Sequence, residues 1–307
     1  MHESVLKQEA IFNLNLKEES VIVDATLGYG GHSSSILERI KKGFLFAFDQ
    51  DSEAIGYSTN RLSKVGTNFT IIKSNFVNLE KELKERGVEK VDGFLFDLGV
   101  SSPQLDEDER GFSYHKDSRL DMRMDKDNPL DAYYVVNNYK EEELVRIFYE
   151  YGESKYSRSI AHNIVKRREQ KEILTTLELA EIIKESVPEK ERKRHHPARQ
   201  IFQAIRIEVN HELDVIKPAL ESACRMLNVG GRIEVITFHS LEDKIVKKYF
   251  NEITKVDEKV KGLPNIPDEY LPDFKLVNRK AITPSNEEIN KNKRSRSSKL
   301  RIIERIK

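Results

Sequence analysis

Apolar residues fall along this chain in two different periods. Val21, Ile22 and Val23 run into Asp24, and Phe44 to Phe48 run into Asp49. Phe69 to Lys73 is closed by Ser74, Asn75 and Phe76, and Val91 to Leu98 reaches its end at Asp97. Short β-branched and aromatic runs bounded by polar turns predict strands. Between the first two, Ile36, Leu37 and Ile40 have helical spacing, so strand and helix signals alternate as a parallel α/β sheet requires. That alternation stops at Gln104. From there to about Arg206 no strand is predicted; an acidic loop leads into Glu142 to Tyr151, Ser157 to Arg168 and Thr176 to Glu185, each with apolar residues three and four apart. The α/β pattern resumes with a helix from Ile216 to Leu227, the turn Gly230-Gly231 and a strand from Arg232 to Phe238. Two later runs, Phe274 to Ile282 and Lys299 to Ile306, can complete the sheet. The pattern therefore predicts a discontinuous α/β domain, residues 1–105 and 207–307, with a helical domain, 106–206, inserted into it.

The first strand-to-helix turn holds Gly28, Gly30 and Gly31. Small residues there let a ligand approach the backbone and the free N–H groups of the next helix, which points to a nucleotide-like cofactor. Asp49, at the tip of the second strand, is where such a site accepts hydrogen bonds from ribose hydroxyls. A nicotinamide dehydrogenase wants a third glycine where this chain has Ser33, which favours an S-adenosylmethionine-dependent methyltransferase. Asp24 also suits a cationic amino group better than a pyrophosphate. Ligands in open α/β sheets sit beyond the carboxyl ends of the strands, so DLGVSSPQLD, Asp97 to Asp106, is the place to look for catalysis. The Pro-Pro-aromatic turn common in amine methylation is missing. Asp97 and the Ser101-Ser102-Pro103 turn still offer acceptors for amine hydrogens.

Composition adds class and compartment. Charged residues make up 34%, yet Lys+Arg and Asp+Glu are 52 each, so any nucleic-acid surface must come from uneven placement. Six basic residues lie between Lys190 and Arg206 against Glu191 alone, and eight between Lys291 and Lys307 against Glu304 alone. Such clusters suggest phosphate-binding faces, or else a solvated helix and a frayed tail. The single cysteine, Cys224, excludes an internal disulfide framework and is expected to be a buried helix residue. No apolar run is long enough to span a membrane and the N-terminus is too charged for a signal peptide, so a soluble, cytoplasmic protein is expected. His195 and His196 adjoin but lack companions at zinc-like spacing, and no metal is expected.

Seven blocks, TLGYGGHS, DLGVSSPQLD, ERGFSY, LDMRMD, FQAIRIEVN, FHSLEDKIVK and RSRSSKLRIIE, resemble the bacterial ribosomal RNA small subunit methyltransferase H family, also called MraW, in order and over essentially the whole chain. The resemblance implies a class I S-adenosylmethionine-dependent methyltransferase, a Rossmann-like α/β sheet with an inserted helical domain, that N4-methylates one cytidine of 16S rRNA in the small ribosomal subunit. It implies cofactor contacts at Gly30, Gly31, His32, Asp49, Phe76, Asp97 and Gln104. The catalytic candidates are Asp97, Ser101, Ser102 and His239, the last of which is equally readable as a supporting histidine. A non-catalytic RNA-binding assembly factor is the alternative from another class; intact Gly30, Gly31, Asp49 and Asp97 speak against it.

Overall fold

The computed structural model describes residues 4–101, 104–105, 107–193, 196–256, 260 and 265–307. The chain divides into two compact units, Met1–Gly99 with Leu213–Lys307, and Val100–Glu212. In chain order the first unit runs α1 (Lys7–Asn13), β1 (Val21–Asp24), α2 (Gly31–Leu37), β2 (Phe44–Asp49), α3 (Ser52–Leu62), β3 (Phe69–Lys73), α4 (Leu79–Lys84) and β4 (Val91–Asp97). The second unit contributes α5 (Ala132–Asn138), α6 (Glu141–Glu150), α7 (Ser157–Arg168), α8 (Thr176–Glu185) and α9 (Ala198–Asn210). The chain returns to the first unit with α10 (Ile216–Met226), β5 (Leu227–Thr237), α11 (Ser240–Ile253), β6 (Phe274–Leu276) and β7 (Lys299–Arg305).

The sheet of the first unit has the order β3-β2-β1-β4-β5-β7-β6. Its first five strands are parallel, while β7 pairs antiparallel with both β5 and β6. Successive strand residues face opposite sides, so the sheet has two cores. Val23, Phe46, Phe48, Phe94, Phe96 and Val235 pack with residues of α4, α10 and α11. Ile22, Leu45, Ala47, Leu95, Ile236 and Ile302 pack with residues of α1, α2 and α3. Two-sided burial explains why these strands read as nearly continuous apolar runs. Cys224 is buried on α10, as its sequence setting suggests, and burial pushes its thiol up to about 11.

Two sequence expectations need correction. The run Phe274 to Ile282 is not one strand: β6 ends at Leu276, and Ile282 makes only an isolated bridge with Leu300. The cause is Asn278, whose side chain takes over the ladder by accepting from Ile302 N–H at 2.9 Å and donating to the Leu300 carbonyl at 3.1 Å. The second correction is at β5, which begins at Leu227, with Gly230-Gly231 inside it rather than before it. The register slips between Val91 and Gly93 there. Gly230 has φ +81, and a Cβ on Gly231 would lie 2.7 Å from the Asp92 carbonyl, so both positions need glycine.

The second unit is helical around its own core, which includes Leu144, Phe148, Ile160, Ile164, Leu179, Ile183, Phe202 and Ile205. Its described residues form no strand, only an isolated bridge between Arg119 and Thr175. Helix starts are set by local chemistry. Asp131 accepts from Tyr134 N–H at 2.8 Å to open α5, and Thr175 and Glu178 exchange side-chain-to-backbone hydrogen bonds at the start of α8. Asn210 at the end of α9 accepts from Met124 N–H at 2.7 Å and donates to the Met122 carbonyl at 2.8 Å, which fastens the acidic loop to that helix. Among the described residues, no helix is long and apolar enough to cross a membrane.

Candidate functional site

The site of the first unit starts from the turn between β1 and α2. Gly28 and Gly30 have φ of 49 and 72, left-handed conformations that glycine adopts without strain. A Cβ on Gly31 would collide with Ser4 Oγ. Helix α3 pulls on the back of the turn: Ser58 Oγ donates to the Gly28 carbonyl at 2.7 Å and Arg61 Nη1 to the Tyr29 carbonyl at 3.1 Å. On the other side Gly28 N–H donates to Asp49 Oδ2 at 2.8 Å, and Asp51 N–H to Asp49 Oδ1 at 2.8 Å. The glycine turn and the tip of β2 are thus one hydrogen-bonded assembly. Burial pushes the Asp49 carboxyl up to about 6, and the two backbone N–H groups offset only part of that shift.

The tips of β1 and β4 form a second assembly. Asp24 is buried, and both its oxygens are occupied, Oδ2 by Ser33 Oγ–H at 2.6 Å and Oδ1 by Thr26 N–H at 3.1 Å. This corrects the expectation that Asp24 faces a cationic ligand group: its carboxylate braces α2 and the turn from inside, with burial raising its pKa. Thr26 in turn accepts the Asp97 N–H through Oγ1 at 2.6 Å. The Asp97 side chain is 23% exposed, so it is open to a ligand, and its Oδ2 lies 3.4 Å from Nε2 of the buried His32. Neither ring nitrogen of His32 nor Asp97 Oδ1 has a hydrogen-bond partner. Buried polar atoms left in that state are costly unless a ligand or water satisfies them.

Phe76 is half-buried after β3 and meets Phe96 edge-on at 5.7 Å and 89°. His239 precedes α11 at the end of β5, with Nε2 3.2 Å from Oε1 of buried Glu242; its ring nitrogens make no hydrogen bond. Ser101 and Gln104 belong to the second unit, where Gln104 Oε1 accepts Ser101 N–H at 3.0 Å. Ser102 lies outside the described residues, as does His195. Gly30, Gly31, His32, Asp49 and Asp97 are the candidates that hydrogen bonds or close approach tie to the same turn and strand tips.

Sequence reasoning missed Thr26, Ser58 and Arg61. Thr26 sits inside the TLGYGGHS block and could have been noticed there; Ser58 and Arg61 have no signal, because their role exists only once α3 packs behind the turn. Spacing also could not divide the basic tail, which reads as a phosphate face or as a frayed, solvated end. Lys299 is held by Asp243 at 2.8 Å and Arg301 by the same carboxylate at 2.7 Å, whereas Lys293, Arg294 and Arg296 are exposed.

Residues 1–306 match the model of the MraW methylase family. The chain is 53% identical over 307 residues to the ribosomal RNA small subunit methyltransferase H of Exiguobacterium sibiricum, covering 100% of this chain and 98% of that one. Among solved structures, an rRNA methylase from Streptococcus thermophilus aligns over 100% of this chain and 99% of its own, at 14% identity and a TM-score of 0.46. SMU.1697c of Streptococcus mutans, solved in complex with SAH, aligns over 100% of both chains at 12% identity and a TM-score of 0.46.

Proposed function

We propose that this chain, which belongs to the MraW methylase family, N4-methylates one cytidine of 16S rRNA in the small ribosomal subunit, in the cytoplasm, with S-adenosylmethionine as donor. The name of its 53% identical relative supports the RNA substrate. One observation carries the chemistry: at the tip of β4, beside the glycine turn, Asp97 keeps Oδ1 without a hydrogen-bond partner while its Oδ2 lies 3.4 Å from His32 Nε2. The residues fit the donor. Asp49 beside the glycine turn is the type of acceptor that ribose hydroxyls need, the turn leaves room for close approach, and His32 and Asp97 bring polar atoms without hydrogen-bond partners.

When bound, S-adenosylmethionine supplies a methyl carbon on a positively charged sulfur. The residues that would hold it are Gly30, Gly31 and His32 at the turn, Asp49 for the ribose hydroxyls and Phe76 for the adenine, and the family resemblance adds Gln104. Asp97 serves the amine. Cytosine N4 is a weak nucleophile because its lone pair is delocalised into the ring. A carboxylate oxygen that accepts an N4 hydrogen lets the nitrogen pyramidalise and stabilises the positive charge that develops there. Thr26 Oγ1 accepts the Asp97 N–H and so fixes the backbone that carries this carboxylate. Ser101 and Ser102 are further acceptors in this scheme, and His239 is assigned to the nucleotide side. The helical unit, with its basic stretch from Lys190 to Arg206, is the RNA-holding part. The target base must be unpaired or rotated out of its stack.

Asp97→Asn tests this reading. It keeps the shape but removes the charge and one acceptor, so single-turnover methylation at saturating S-adenosylmethionine should fall by about 10²-fold or more. A near-normal single-turnover rate would limit Asp97 to cofactor binding.

A further inference from the structure

The helical unit contains a cavity of about 460 Å³, lined by Tyr114, Leu177, Lys184, Arg192, His196 and Pro197 among others. All its lining residues belong to the second unit, and its size falls within the range of roughly 300–1,000 Å³ usual for small-ligand sites. One wall is aromatic. Tyr114 stacks on His196 with ring centroids 4.8 Å apart and 23° between planes, and Phe202 meets Tyr114 edge-on at 5.5 Å and 72°. Phe202 is buried in the core of the unit, so the Tyr114 ring is anchored, while His196 is exposed and can extend the stack outward.

Hydrogen bonding fixes what this wall offers. Ala198 N–H donates to His196 Nδ1 at 3.3 Å, which leaves the ring proton on Nε2. Partial desolvation where the ring packs on Tyr114, together with the nearby His115 and Lys184, lowers the His196 pKa and favours this neutral form. The lining also carries charge, with Lys184 and Arg192 beside the acid Glu181. Lys184 is partly neutralised by Glu181 at 3.2 Å. Arg192 is not: its Nε donates to the Val187 carbonyl at 2.7 Å, which orients the guanidinium, and its terminal amino groups have no partner among the described residues. A flat π-surface beside an oriented, unpaired guanidinium matches the two faces of a nucleotide, a base to stack and a phosphate to bind.

We propose that this cavity holds one unpaired nucleotide of the RNA substrate, with its base on the Tyr114–His196 stack and its phosphate at Arg192. The proposal rests on the RNA reading above. It adds a specific anchoring point within the helical unit.

The test uses the full chain, small ribosomal subunits lacking the methyl group, and the variants His196→Ala, His196→Phe and Arg192→Gln. Loss of one base–aromatic contact should raise the KM for the subunits by roughly tenfold in His196→Ala, with single-turnover rate at saturation and S-adenosylmethionine affinity unchanged. His196→Phe should restore the KM, because stacking survives, and Arg192→Gln should raise it with a shallower salt dependence. RNA carrying 4-thiouridine should crosslink to the peptides containing Tyr114 and His196. Parental KM in both His196→Ala and Arg192→Gln, or failure of His196→Phe to rescue, would overturn the cavity assignment while methylation by the parent leaves the RNA reading standing. A parent that neither binds nor methylates the subunits would remove both.

Discussion

Asp49 has two roles that oppose each other. Ionised, it is the acceptor that ribose hydroxyls need; buried among backbone N–H groups, it holds its proton up to about pH 6 instead of its ordinary 3.8. The native state thus binds this proton more tightly than the unfolded chain. The group's contribution to stability is fully present below about 3.8 and is lost as pH rises through about 6. Cofactor binding should run the other way. Titration calorimetry from pH 5 to 8 should show S-adenosylmethionine affinity rising through about 6 in the parent and staying nearly flat, and weaker by about 1.5–3 kcal/mol at pH 8, in Asp49→Ala. Glu234 is a sharper case of the same sign. It is fully buried on β5, neither oxygen has a partner, and burial raises its pKa well above the ordinary value. Ionisation is therefore a cost that grows with pH. Glu234→Leu should stabilise the protein by about 1–3 kcal/mol in urea unfolding at pH 8, and by less at pH 5. An equal or opposite effect at the two pH values would contradict this account.

At the scale of elements, the contact between α11 and β7 separates two kinds of basic residue that look alike in the sequence. Burial alone would raise the Asp243 pKa, but Arg301 and Lys299 outweigh it and hold the carboxyl below its ordinary value. Asp243→Ala would leave the mostly buried Arg301 uncompensated and should cost about 1–3 kcal/mol of stability. Replacing the exposed Lys293 and Arg296 with alanine should instead leave the melting temperature nearly unchanged and flatten the salt dependence of RNA binding. If the salt slope is unaltered, the phosphate face lies elsewhere. The limits of reading are also local. Strands β1, β2 and β4 were legible because two-sided burial writes them as unbroken apolar runs ending in polar tips. Strand β6 was over-read because Asn278 imitates a ladder partner with its side chain, a substitution that apolar periodicity cannot register. The strand-tip acids Asp49 and Asp97 could be found for the same reason the strands could. Thr26, Ser58 and Arg61 could not be assigned from spacing, since each acts through a contact made only after the sheet and its helices assemble.

For the molecule as a whole, the excursion from Val100 to Glu212 has a core of its own, whereas the sheet is finished only by residues beyond Leu213. The fragment 100–212 should therefore unfold cooperatively by circular dichroism, and the fragment 1–99 should not, because β4 then lacks its neighbour β5. A non-cooperative helical fragment would show that its core does not suffice alone. The alternation of periods made the interruption visible in the sequence, while the antiparallel return of β7 was not, since a short apolar run carries no direction. The strand order has a consequence for the newborn chain. β4 is an apolar strand complete at Asp97, and the strand that covers its open side does not begin until Leu227. At roughly 5–20 residues added per second, its backbone edge stays uncovered for on the order of ten seconds, long enough for the helical excursion to fold first and for the bare edge to meet a chaperone or another nascent chain.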